Sequence, residues 1–443
     1  MSRGESATSV GGGSGTTEVG SVFVSNYPPY SAWSAAQAAE VERVLNAAPH
    51  AATDLGLYLH IPFCRKRCKF CYFRVYTDKN AAAVQRYVDA LLREARLYAE
   101  RPGVDSRPLR LVYFGGGTPS YISSKHLRML FAEMRSTFDW SEVEEVTFEC
   151  EPGTLTRKKL ELLRELGVTR LSLGVENFND EILQENGRAH LTEEILRVVP
   201  WIAELGFPQL NVDLIAGMIG ETGETWAETV ERTLGLDPDS VTIYQLELPY
   251  NTVYSRRLLD GKQIPVADWE LKRTWHDQAF ARFEKSGYLV SSAYTVVKKD
   301  AGAGFLYRDN LWHGADLLGL GVSSFSHLGG VHYQNCSGWD PYLERIERGE
   351  LAVDRAYATR PHDRLIRELI LQMKLGRLET RYFREKFDVE ILEVFRRPFA
   401  ALEKRGLLCV EDGTVRLERS GLLRVDQLLP EFYADEFRNL RYT

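Results

Sequence analysis

The chain has no apolar run approaching the roughly 20 residues that a membrane-spanning helix needs, and so no membrane span is expected. It has no excess of positive charge either: 55 Lys and Arg against 62 Asp and Glu give a net charge of −7. Binding to a phosphate backbone requires a basic surface, so nucleic acid is not the expected partner. Only six cysteines occur in 443 residues, too few and too clustered for a disulfide framework. A reducing compartment, the cytoplasm, is the expected setting. The first twenty residues, with Gly11-Gly12-Gly13-Ser14-Gly15, lack the apolar core of a signal peptide and read as a flexible tail. What remains is ordinary for a globular protein, with 44% hydrophobic and 26% charged residues. The length suits a large catalytic domain plus a smaller one.

Three of the six cysteines sit in one run, Cys64-Arg65-Lys66-Arg67-Cys68-Lys69-Phe70-Cys71, directly after the strand-like Leu57-Tyr58-Leu59-His60-Ile61-Pro62-Phe63. The spacing brings three thiolates to one side of a tight loop. Three thiolates hold three corners of a 4Fe–4S cube and leave the fourth iron open to a small molecule. Zinc would normally ask for paired Cys-x-x-Cys units with a fourth ligand close by. Here the nearest later histidine is His126 and the next cysteine is Cys150. Cys150, Cys336 and Cys409 lack ligand spacing and are expected to pack.

From about residue 55 short β-branched or aromatic runs alternate with longer amphipathic ones. Strands are expected at 57–60, 109–114, 145–150, 169–173, 210–215 and 240–246. Helices are expected at 123–137, 156–166, 192–204 and 223–234, and along the stripe Val84, Tyr87, Val88, Leu91, Leu92, Ala95. Such βα repetition implies an α/β fold, an open, partial (β/α)6 TIM-like barrel, with functional groups at the C-terminal strand ends. The segment 250–350 shows no clear pattern. After about 355 the chain turns helical and charged, and Glu411-Asp412-Gly413-Thr414 between two apolar runs reads as a hairpin. The expected organisation is a tail (1–20), an arm (21–54), a barrel with its C-terminal extension (55–350) and a helical, winged-helix-like domain (351–443).

Cys-x-x-x-Cys-x-x-Cys with an aromatic before the third cysteine resembles the signature of radical S-adenosylmethionine (SAM) enzymes. The phrase Tyr58-Leu59-His60-Ile61-Pro62-Phe63-Cys64 is similar to the branch around oxygen-independent coproporphyrinogen III oxidase, which also holds heme chaperones and class C methylases. The resemblance implies a cluster on Cys64, Cys68 and Cys71 and reductive cleavage of SAM to a 5′-deoxyadenosyl radical. It further implies that Gly116 and Glu149 contact the cluster-bound SAM, with Tyr58 and Phe70 beside it. For a second SAM it implies Gly117, Thr118, Arg188 and Asp213, with Glu176 standing where the family carries Gln. Phe325 falls where the oxidase places a residue against SAM.

Two segments pull the reading apart. Ser25-Asn26-Tyr27-Pro28 resembles the oxidase, and Asn310-Leu311-Trp312-His313-Gly314 the chaperones, although a preceding histidine of theirs is missing. Phe73 stands where the decarboxylating oxidases carry a further cysteine. The implied function is a coproporphyrinogen oxidase-like oxidoreductase acting on a tetrapyrrole. The alternatives are a class C methyltransferase or cyclopropanase and a heme-binding chaperone. Arg65-Lys66-Arg67 would either dock an electron donor such as flavodoxin or form a solvated loop.

Overall fold

Six strands alternate polar and apolar residues over much of their length: β1 (Leu55–Ile61), β2 (Leu109–Gly116), β3 (Glu145–Cys150), β4 (Arg170–Glu176), β5 (Gln209–Ala216) and β6 (Ser240–Gln245). The computed structural model describes residues 17–48, 53–299, 302, 304–438 and 440. Since alternate side chains point to opposite faces of a strand, each strand buries one apolar row. Leu59, Phe114, Phe148, Leu173, Val212 and Ile243 join Phe131, Leu163, Val198 and Trp226 of the crossover helices in the main core. The other row faces the interior of the curved sheet and is polar. Thr147, Ser172, Asn211 and Thr242 lie there, and a hydrogen-bonded chain joins the last three, with Asn211 donating to Ser172 and accepting from Thr242.

β1 to β6 are adjacent, in order and parallel, and β1 does not close onto β6. All six expected strands are therefore present, but the sheet continues on both sides. Beyond β6 lie β8 (Thr295–Lys298) and then β7 (Tyr288–Val290), both antiparallel. On the far side of β1 a seventh parallel strand, β9 (Asp316–Leu320), leads into the antiparallel β10 (Phe325–Leu328), β11 (Val331–Asn335) and β12 (Val353–Ala358).

The helix Leu306–Trp312 closes the N-terminal end of this curved sheet. Glu145, at the start of β3, accepts from the amides of Leu306 and Tyr307 at 3.0 and 3.2 Å, a carboxylate on free helix-start donors. The ring of Tyr307 stands 4.5 Å from that of Tyr113, and Phe305 lies 4.1 Å from the Arg170 guanidinium. The floor of the barrel is thereby filled with rings.

A second core gathers residues 365–437 around the helix Pro361–Met373. The order helix, β13 (Arg377–Glu379), helices Thr380–Phe387 and Arg396–Lys404, then β14 (Leu408–Glu411) and β15 (Thr414–Leu417), is that of a winged helix. Its hairpin turns through Asp412 (φ 48°) and Gly413 (φ 76°), the left-handed pair that two-residue hairpins require.

Residues 1–16 of the expected tail lie outside the described residues; Thr17 and Gly20 bond to Ala267 and Leu248. The following arm runs across both bodies. Val22 and Phe23 donate to Glu247, and Val24 N donates to Asp426. Tyr27, 0% exposed, sits in the second core against Tyr433 and Phe437. Tyr27→Ala should cost about 3–5 kcal/mol of stability, as buried aromatic truncations do, read as a lowered denaturant midpoint. No helix among the described residues is long and apolar enough to cross a membrane.

Candidate active site at the strand ends

The loop after β1 is fastened at its neck and along its length. Tyr76 N donates to Pro62 O and Cys64 N to Tyr76 O, at 2.7 and 3.1 Å. Arg65 grips both oxygens of Glu151 at 3.0 and 2.8 Å and also donates to Ala189 O. Despite burial, His190 and Arg65 hold the Glu151 carboxyl down to about 2. Lys69 N bonds Asn186 O, and Lys69 O accepts from Val253. The cysteine run is thus tied to the segments that follow β3, β4 and β6. Arg65, although exposed, anchors the loop through these bonds.

Each cysteine sulfur meets a donor. Thr118 Oγ1 donates to Cys64 Sγ at 3.3 Å and Arg188 Nη1 to Cys68 Sγ at 3.4 Å, while the Phe73 amide bonds Cys71. Burial pushes the free thiols of Cys64 and Cys71 up to about 11 and about 12, so iron would have to supply the charge that makes them thiolates. Among the described residues no group of three or more His, Cys, Asp or Glu is arranged to hold a single metal ion. A cube differs, because each thiolate takes its own iron. Donors aimed at sulfur are the usual outer-shell support of such clusters, and the residues fit one. Of the residues expected around a second SAM, Thr118 and Arg188 therefore lie against the cluster ligands themselves.

The end of β2 passes beneath this loop, which explains its glycines. A Cβ on Gly117 would lie 2.9 Å from Pro62 C and 3.0 Å from Phe63 N. Gly116 has φ 111°, and a Cβ there would meet the His60 ring at 2.6 Å. Gly116 N is turned to donate to Glu149 Oε2 at 3.0 Å, while Tyr113 Oη donates to Oε1 at 2.7 Å. Tyr58 stacks on Tyr113 at 5.8 Å and bonds His60 Nδ1 at 3.1 Å.

Next to Glu149 come two further carboxylates. Asp213, at mid-β5, accepts from Ser172 Oγ at 2.7 Å and Asn211 Nδ2 at 2.9 Å. Glu176 ends β4 in the left-handed region (φ 66°), and Arg188 lies 3.5 Å away while donating to Gly174 O. Burial pushes Glu149 and Glu176 up to about 7, with Asp213 adding to both and Arg188 opposing at Glu176; burial also raises Asp213. Three carboxylates thus face one chamber in which Arg188 and Arg170 are the neighbouring cations. A ligand bringing positive charge relieves that imbalance.

A pH dependence follows. Between pH 6 and 8 Glu176 passes from mostly neutral to mostly ionised, so preference for SAM over S-adenosylhomocysteine, which lacks the sulfonium charge, should rise across that window. With Glu176→Gln the rise should be shallower, Glu149 and Asp213 still titrating. Calorimetry with both ligands at the two pH values checks this; equal slopes would contradict it.

Phe70 is half-buried against the small core of Ile182, Ile215, Met218 and Leu246, at the same rim. The ring of Phe325, 45% exposed, packs on Tyr30 and Trp33 of the arm at 5.6 Å each. Sequence reasoning missed His60, Tyr113, Ser172 and Asn211 as parts of this chamber. The polar positions alternating along strands otherwise enclosed by helices were the signal that marks them.

Residues 58–233 match the radical SAM superfamily. The chain carries a radical SAM domain. Its cofactors are accordingly a 4Fe–4S cluster and SAM. The oxygen-independent coproporphyrinogen III oxidase of Synechocystis sp. is 28% identical over 403 residues, covering 87% of this chain and 83% of that protein. The Bacillus subtilis heme chaperone HemW is 25% identical over 385 residues, 85% of this chain and 99% of its own. Among solved structures, coproporphyrinogen III oxidase (HemN) from Escherichia coli, a radical SAM enzyme, superposes with a TM-score of 0.80 at 26% identity, covering 93% of this chain and 96% of its own.

Proposed function

We propose that the protein is a coproporphyrinogen III oxidase-like radical SAM enzyme acting on a tetrapyrrole. The observation carrying this is the extent of the likeness to the E. coli oxidase, 93% and 96% of the two chains, which takes in arm, barrel and C-terminal domain together. When bound, the cluster and SAM supply a 5′-deoxyadenosyl radical, the cofactors' own chemistry. The protein's part is to hold and shield. Cys64, Cys68 and Cys71 hold the cluster, with Thr118 and Arg188 on two of the sulfurs. Glu149, its oxygens fixed by Gly116 N and Tyr113 Oη, receives the ammonium of SAM. Glu176, Asp213 and Arg188 offer charge for a second SAM. The floor helix and the arm keep water from the chamber. A one-electron donor such as flavodoxin completes the system.

Anaerobic incubation of the cluster-loaded protein with reductant, SAM and coproporphyrinogen III tests the reading. Decarboxylated tetrapyrrole by mass is expected; an unchanged tetrapyrrole overturns it. S-adenosylhomocysteine as a product would point to methyl transfer. Phe73, in place of the oxidases' further cysteine, favours a second reading as a heme chaperone, like the B. subtilis relative. Stoichiometric heme binding without turnover would support that one.

A further inference from the structure

Directly after Cys71 two large rings stand side by side in the open. Tyr72 and Phe73 stack with centroids 4.4 Å apart and planes at 28°, yet each is 44% exposed. Neighbouring residues in extended chain point to opposite sides; a bend at Phe73 folds these two together. The bend is pinned from both sides, by Asn251 Nδ2 on Tyr72 O at 2.7 Å and by the Phe73 amide on Cys71. Backbone fixed this firmly beneath two uncovered rings is preorganised for a ligand's flat face. The pair adjoins the cluster loop, following Cys71 directly in the chain. Arg74 comes next in the chain, exposed and without an ion partner among the described residues.

We propose that Tyr72 and Phe73 form the shelf on which a carboxylate-bearing tetrapyrrole rests the face of one pyrrole ring, with Arg74 taking one of its acidic groups. This rests on the tetrapyrrole reading and assigns its substrate contact. In that arrangement the residue replacing the oxidases' cysteine is a specificity element, holding the macrocycle beside the cluster by stacking.

The test is anaerobic calorimetric titration of the cluster-loaded protein with coproporphyrinogen III. The wild type should bind saturably. Tyr72→Ala with Phe73→Ala should weaken binding at least about tenfold, or about 1.4 kcal/mol. The exchange Tyr72→Phe with Phe73→Tyr, which keeps both rings, should stay within about threefold. Arg74→Gln should weaken binding at low salt, with the difference shrinking as salt rises. Iron content checks the loop in every variant. If the alanine pair fails to load iron, Tyr72→Leu with Phe73→Leu, close in volume but ringless, is read in its place. A ringless variant binding like wild type overturns the shelf and leaves the tetrapyrrole reading intact, as does a ring exchange that binds as poorly as the alanine pair. A wild type that binds no coproporphyrinogen overturns both.

Discussion

Serine in place of Cys64, Cys68 or Cys71, one at a time, is expected to cut the iron of the reconstituted protein well below four atoms per chain and to reduce SAM cleavage beyond detection. The reasoning is one of ligand number. Three thiolates are the whole protein share of the cluster, so no fourth side chain compensates. Changes to groups around metal ligands typically cost ~10–100-fold, and loss of a ligand must exceed that. Thr118→Ala, which removes only the hydroxyl on Cys64 Sγ, belongs in the milder range. Cys150→Ala provides the contrast: its thiol is 5% exposed and packs in the main core, so iron content should hold while stability drops by about 1 kcal/mol. A serine variant at the triplet that keeps full iron and cleaves SAM would remove these residues from the centre.

Glu149→Ala is expected to weaken SAM binding by ~30- to ~3,000-fold, the equivalent of ~2–5 kcal/mol for removing one member of a desolvated charge pair. Its carboxylate is held ready by Gly116 N and Tyr113 Oη, with no cationic partner among its hydrogen bonds, so a ligand ammonium completes the pair. Iron loading should be unaffected, because Glu149 touches none of the cysteines' recorded donors. Glu149→Gln, retaining shape but not charge, should fall between. Calorimetric SAM titration of the cluster-loaded protein distinguishes the three; equal affinity in all would place the SAM ammonium elsewhere.

Much of the barrel was legible because its strands are short, apolar on one face and separated by helices with clean stripes. Strand β3 matched its expected bounds, β4 starts later and ends later than expected, and β5 extends at both ends. What the pattern hid has physical causes. The strands β7 to β11 are three to five residues long, too short for periodicity to register. The helix Trp269–Lys285 buries Lys272 and His276 on its packed face beside Trp275 and Phe280, which erases the apolar stripe. The cysteine triplet declared itself through spacing. Tyr113 and Asn211 did not, because only the curvature of the sheet brings them to one chamber.

The central claim is that three thiolates and the adjoining strand ends form a SAM-cleaving centre. Its most direct test is to quantify 5′-deoxyadenosine after anaerobic reconstitution, with SAM and a strong one-electron reductant. The account predicts about four irons per chain for the full cube, and 5′-deoxyadenosine formed alongside methionine. A fully loaded cluster that leaves SAM intact under reduction would contradict it.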